Sequence, residues 1–155
     1  MRVLSLLPYM AVIFLLGAPT ATLALDTTPR TPKVQDPLAA ARAAIDKKDW
    51  TEAITLLKDQ TAKDPRNADA FNLLGFSQRN AGDMSSALTS YDKALALDPN
   101  HKGALEYLGE THLKLNDLPK AEALQARLKA LCPQGCEELS DLDEAIADYK
   151  KTQDK

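Results

Sequence analysis

The chain has 155 residues, the length of one ordinary domain, with 45% hydrophobic and only 5% aromatic residues. A core drawn mainly from Ala and Leu favours close-packed helices over a β-sandwich, and it is far too apolar for a chain disordered throughout. The net charge of −3, with no block of like charges after Asp26, leaves no electrostatic footprint for a phosphate backbone. Nucleic acid is thereby excluded as the expected partner, and a protein or peptide surface stays open.

The first two dozen residues form a unit of their own. Arg2 precedes an apolar run over 3–18, interrupted by Ser5, Pro8, Tyr9 and Gly17, and small residues follow up to Thr22-Leu23-Ala24. This pattern predicts a secretory signal peptide over 1–24, cleaved after Ala24, and hence a periplasmic or secreted mature protein with no membrane contact after cleavage. The alternative is an uncleaved anchor, since residues 3–25 carry no charge and about 20 apolar residues span a bilayer. Residues 25–36, with Pro29, Pro32 and two Thr-Pro pairs, read as a flexible linker.

From there the chain is periodic. Asp64-Pro65, Asp98-Pro99 and Cys132-Pro133 recur every 34 residues, each after an apolar helical stretch that the proline stops by lacking an amide hydrogen. In the middle unit Phe71, Leu74, Gly75 and Gln78 share one helix face, Gly82-Asp83 breaks it, and Ala87, Leu88, Tyr91, Ala94 and Leu95 mark a second helix. The next unit repeats this as Leu105, Leu108, Gly109 and His112, a break at Asn116-Asp117, then Ala121, Leu124, Leu128 and Leu131. The first unit is weaker: Asp36-Pro37 starts it, Lys48-Asp49 turns it, and Trp50, Ala53 and Leu57 fill its second half. Three units follow, at about 34–67, 68–101 and 102–135, within residues 37–136. Glycine inside a helix costs about 1 kcal/mol relative to alanine. Gly75 and Gly109, in register, therefore predict a closely approaching partner helix, with Ala87 and Ala121 as the small residues opposite. Residues 137–151 then place Leu139, Leu142, Ala145, Ile146 and Tyr149 at helical spacing, which predicts a C-terminal capping helix with an acidic outer face.

The string Ala70-Phe71-Asn72-Leu73-Leu74-Gly75, continued by Gly82-Asp83, Ala87, Tyr91, Ala94 and Asp98-Pro99-Asn100, resembles the tetratricopeptide repeat. The resemblance covers about 100 residues and implies an all-α fold, a right-handed superhelical stack of about three helix-turn-helix repeats. The flanking units depart from it. Ala40-Ala41 replaces the Leu-Gly pair in the first, implying a short or shifted opening helix, and His112 and Gln125 fill aromatic slots in the third, implying looser packing.

Family resemblance also implies a concave groove lined by the first helices of successive repeats and occupied by a peptide. The face opposite the packing stripe carries Asp69, Asn72, Phe76, Arg79 and Asn80 in the middle unit, and Glu106, Glu110 and Lys114 in the next. Phe76, a large apolar ring among polar neighbours, is either an interface anchor or a packing residue against an adjacent repeat. The basic set that clamps a C-terminal carboxylate in chaperone-binding members is absent, because the matching positions hold Leu38, Arg42, Leu73, Gly103 and Tyr107; only Arg42 remains.

Other chemistry is sparse. Cys132 and Cys136, an even pair in an exported chain, point to a disulfide of small ring size. A copper- or redox-active pair is the alternative, without a nearby positive charge or base to lower a thiol pKa. His112 lies on a packing face and His101 in a solvated turn. The acidic pairs Glu52/Asp59 and Glu106/Glu110 read as solvated helix faces. No nucleophile elbow, zinc-protease motif or phosphate loop occurs, so neither an enzyme nor a cofactor is expected. The sequence thus leads to a non-enzymatic module for a protein or peptide partner, a scaffold or assembly factor of an envelope complex. Its rivals are a metal or redox carrier and a self-associating scaffold.

Overall fold

The structure, a computed structural model, describes residues 36–153. The signal-peptide and linker expectations fall outside them, apart from Asp36. The described residues contain seven helices and no strand: α1 (Ala39–Asp46), α2 (Trp50–Lys63), α3 (Ala68–Asn80), α4 (Met84–Leu97), α5 (Lys102–Lys114), α6 (Leu118–Leu131) and α7 (Glu137–Gln153).

The 34-residue period governs local structure as well as sequence. Asp49, Asp83 and Asp117 cap α2, α4 and α6, each accepting a hydrogen bond from the backbone amide three residues on. Asn67 caps α3 and His101 caps α5 in the same way. The turn inside each repeat is a left-handed residue at one register position: Lys48 at φ 58°, Gly82 at 91° and Asn116 at 59°. Glycine enters that region freely and asparagine tolerates it, whereas lysine is held there by the flanking helices. At the far end of each repeat, the amides of Asp64, Asp98 and Cys132 close the second helix on Gln60, Ala94 and Leu128.

These caps and turns make three antiparallel hairpins, α1/α2, α3/α4 and α5/α6, which stack in order into a right-handed superhelix. The first helix is short, as expected: α1 has eight residues, and the Asp36 carboxylate accepts the Leu38 amide at 2.9 Å just ahead of it. Two apolar clusters hold the stack. An alanine-rich one joins α1, α2 and α3 through Leu38, Ala41, Ala53, Leu57, Ala70 and Leu74. A larger one joins α4 to α7 through Tyr91, Leu105, Leu108, Leu124, Leu128, Leu142 and Ile146.

α7 does more than cap. Leu139, Leu142 and Ile146 stand 34 residues after Leu105, Leu108 and His112, and α7 packs on both α5 and α6, more closely on α5 than α5 does on α3. It continues the sequence register of the first helices.

The glycine expectation holds at one site and changes at the other. A methyl group on Gly75 would lie 2.7 Å from the buried Tyr91 ring of α4, so the close approach is real, but the residue opposite is Tyr91 and not Ala87. A methyl group on Gly109 would lie 2.8 Å from Leu142 of α7. The third repeat has Gln125 where the second has Tyr91, and the shorter side chain leaves room that α7 fills.

Candidate functional site

The inner faces of α1, α3, α5 and α7 form a groove, and the residues on it come in pairs 34 positions apart. At one end a cavity of about 250 Å³ lies between Arg42, Asn72, Leu73, Gly103, Glu106, Tyr107 and the α7 acids Glu137, Glu138 and Asp141. Toward the other end, α5 and α7 frame a wider hollow through Glu110, Leu113, Lys114, Ala145 and Tyr149.

Between them sits an aromatic and ionic cluster. Phe76 meets Trp50 of α2 edge-on at 6.1 Å between ring centroids and Tyr107 of α5 at 5.0 Å. Phe76 therefore bridges repeats, the packing alternative of the two expected for it, and keeps only part of its surface on the groove. The Arg79 guanidinium lies 5.4 Å from the Phe76 centroid and 5.3 Å from that of Tyr107, and it forms an ion pair with Glu110. Its side chain is only 7% exposed, and its Nε has no hydrogen-bond partner. Guanidinium stacking on two rings tolerates this burial because the group is weakly hydrated and planar.

Several expectations need correction here. Glu106 and Glu110 are not a solvated acidic face: Glu106 is buried at 6% exposure and Glu110 is tied to Arg79. Burial first, then the charges of Glu110, Asp141 and Glu138, push the Glu106 carboxyl up to about 8, against the opposing pull of Arg79. Asn72 and Arg79, placed by helix projection on an open face, are buried. Asp69 is exposed, and its carboxylate accepts from His101 Nε2 at 3.0 Å. His101 is accordingly no solvated turn residue. Its Nδ1 accepts the Ala104 amide, so the neutral Nε2–H tautomer joins the two repeats. Asn80 is exposed and donates to the Phe76 carbonyl at 2.8 Å, and Lys114 stands exposed at the groove end. His112 is mostly buried, as its helix face predicted, and burial lowers its pKa.

The sequence reasoning did not assign Trp50, Glu137, Glu138 or Asp141 to the groove. A signal existed for two of them: Glu137 and Asp141 stand 34 residues after Gly103 and Tyr107, so reading α7 in repeat register finds them. Cys132 and Cys136 lie with Cα atoms 5.8 Å apart, a distance a disulfide spans. Among the described residues no three His, Cys, Asp or Glu side chains gather at metal-holding distance, and no helix is long and apolar enough to cross a membrane.

The fold and groove define a helical-repeat interaction module. A tetratricopeptide repeat family model matches residues 38–101 and 74–135, and the chain belongs to that family. The uncharacterized protein ycf37 of Pyropia yezoensis is 38% identical over 64 residues, covering 41% of this chain and 36% of that protein. The chain spans between 19% and 58% of the length of the curated relatives it matches. Among solved structures, PcrH in complex with the chaperone-binding region of PopD shares the fold at TM-score 0.64 and 23% identity, over 76% of this chain and 88% of that one. The Yersinia enterocolitica type III secretion translocator chaperone SycD does so at 0.68 and 18% identity, over 77% and 92%.

Proposed function

We propose that this chain is an exported, non-enzymatic holder of an extended segment of another protein, acting as a scaffold or assembly factor in the periplasm or an equivalent compartment. The observation that carries the reading is the inner surface from Asn72 and Glu106 through Phe76 and Tyr107 to Leu113, built by the first helices of successive repeats with Trp50 of α2 beside Phe76, and hollowed at the two places described above. PcrH, of the same fold, holds a region of PopD. The Asp-Pro turns and capped hairpins make the surface rigid before a partner arrives, which lowers the entropy lost on binding.

Two further elements complete the proposal. Residues 1–24 direct export and are removed after Ala24, and the oxidising compartment then closes Cys132 and Cys136 into a disulfide. That bond fastens α6 to α7 and takes both thiols out of metal or redox chemistry.

Affinity capture from the native envelope tests the reading, with the chain beginning at Leu25 as bait beside its Gly103→Leu variant. Gly103 lies at the groove floor, where a new side chain fills the cavity against Asn72. A partner held by the parent chain and lost by the variant is the expected result. A partner retained equally by both removes the groove from the function. Native protein whose N-terminus is Met1 overturns the export element.

A further inference from the structure

The cavity between the N-terminal halves of α3, α5 and α7 carries an unbalanced set of polar groups. Asn72 is 7% exposed, and its Oδ1 accepts no hydrogen bond. A buried acceptor left without a donor costs about 1–3 kcal/mol, so this atom calls for a donor from outside the chain. Glu106, in the same cavity, is buried with no ion pair to its carboxylate among the described residues. Glu138 and Asp141 stand over it from α7 with the same sign.

The cations nearby leave the Glu106 carboxyl unpaired. Arg42 lines the cavity, but its side chain is half exposed and its Nε is turned to Asp36 at 3.5 Å. Lys102 lies at the rim, 3.8 Å from Glu138. Arg79 is paired with Glu110.

We infer that this cavity is a socket for a single cationic side chain, lysine or arginine, of a peptide lying along the groove, with Glu106 as counter-ion and Asn72 Oδ1 as hydrogen-bond acceptor. An ammonium or guanidinium supplies the several N–H donors that these oxygens lack. The half-buried Tyr107 ring forms a wall on which either cation stacks. A raised Glu106 pKa fits an acid whose counter-ion arrives with the partner. Anionic side chains are repelled by Glu137, Glu138 and Asp141. This polarity is the reverse of a site that clamps carboxylates.

The inference rests on the groove reading above but is tested apart from it. Four end-blocked heptapeptides, identical except for Lys, Arg, Leu or Glu at the centre, are titrated against the full mature chain, following the amide resonances of Leu73 and Tyr107. Charge-assisted hydrogen bonds to a buried carboxylate predict that the Lys and Arg peptides bind about tenfold more tightly than the Leu peptide, and the Glu peptide most weakly. Glu106→Gln, which keeps the shape of the protonated acid but cannot become a counter-ion and so should fold well, is expected to bring the Lys and Leu peptides within about twofold of one another. Asp141→Asn should reduce the preference by a smaller factor, and Glu52→Gln on the exposed face of α2 should leave it unchanged. Equal binding of Leu and Lys peptides overturns the socket and leaves the groove standing. A Lys preference undiminished in Glu106→Gln also overturns it. If no peptide moves those resonances the socket falls, while the groove reading is judged by the capture of its native partner.

Discussion

Gly75 and Gly109 hold the same position in successive repeats and are closed in different ways. Over Gly75 lies Tyr91, from the second helix of the same hairpin; over Gly109 lies Leu142, from the helix that follows the repeat. The middle repeat therefore closes over its glycine from within, whereas the third depends on α7 for that closure. The cause is one side chain, Gln125 in place of a tyrosine. Gln125 turns outward to donate to Asp143 of α7 at 2.5 Å, adding a polar tie to the apolar one. A self-sufficient repeat tolerates the loss of its neighbours, and a dependent one turns its neighbour into part of its core.

The largest effects should come from removing the two closing side chains. Tyr91→Ala empties a fully buried aromatic site and is expected to cost about 4 kcal/mol of global stability in urea denaturation. Leu142→Ala should cost about 3 kcal/mol. Hydrogen exchange separates the two: Tyr91→Ala should weaken protection throughout α3 to α6, Leu142→Ala chiefly in α7 and the facing side of α5. Uniform loss in both would mean that the third repeat is no more dependent than the second.

Filling the glycines sharpens the contrast. The added methyl of Gly75→Ala meets a rigid ring with no room to move, and the strain outweighs the helix-propensity gain of alanine, leaving a net loss of about 2 kcal/mol. The methyl of Gly109→Ala meets the far end of a leucine, which can turn aside, so the two effects should nearly cancel. Equal losses in thermal melts would show that Leu142 is as fixed as Tyr91. The Cys132–Cys136 closure probes the same dependence from the other side of α7. By loop entropy the ring is worth about 2 kcal/mol, so replacing both cysteines with serine should lower stability by that amount and loosen α7 before any other helix. No change in stability would mean that the pair is not bonded in the native protein.

These differences also mark where sequence reading stops. The period, the caps, the left-handed turns and all seven helices follow from residues that act within a few positions of themselves. Asp-Pro punctuation and the Gly82-Asp83 turn each carry their meaning locally. The groove residues do not. Projecting α3 as a lone helix puts Asn72 and Arg79 on an open face, because nothing within α3 says that α5 curls over that face and that Glu110, 31 residues on, reaches Arg79. The burial of Glu106 depends in turn on α7, whose register with the repeats is visible in Leu139, Leu142 and Ile146 only once it is aligned as a fourth first helix.

The remaining effect, which vanishes near pH 4, is the most specific to the groove. The Glu106 carboxyl titrates near 8 in the folded chain and near an ordinary glutamate, about 4.3, in the unfolded one. The folded state thus binds this proton more tightly. Its contribution to stability is fully present below about pH 4 and is lost as pH rises through 8. Glu106→Gln mimics the protonated acid at every pH, so the difference between the two proteins isolates this one group from the other titrations. The variant should match the parent near pH 4 and gain on it steadily up to about pH 8.5, reaching on the order of 2 kcal/mol once solvent screening at the groove mouth is allowed for. Above that the difference should stay flat. Asp141→Asn should narrow the window from the alkaline side, because one of the charges that raises the pKa comes from α7. A difference that does not vary with pH would place Glu106 in water and detach it from the helix that closes the third repeat.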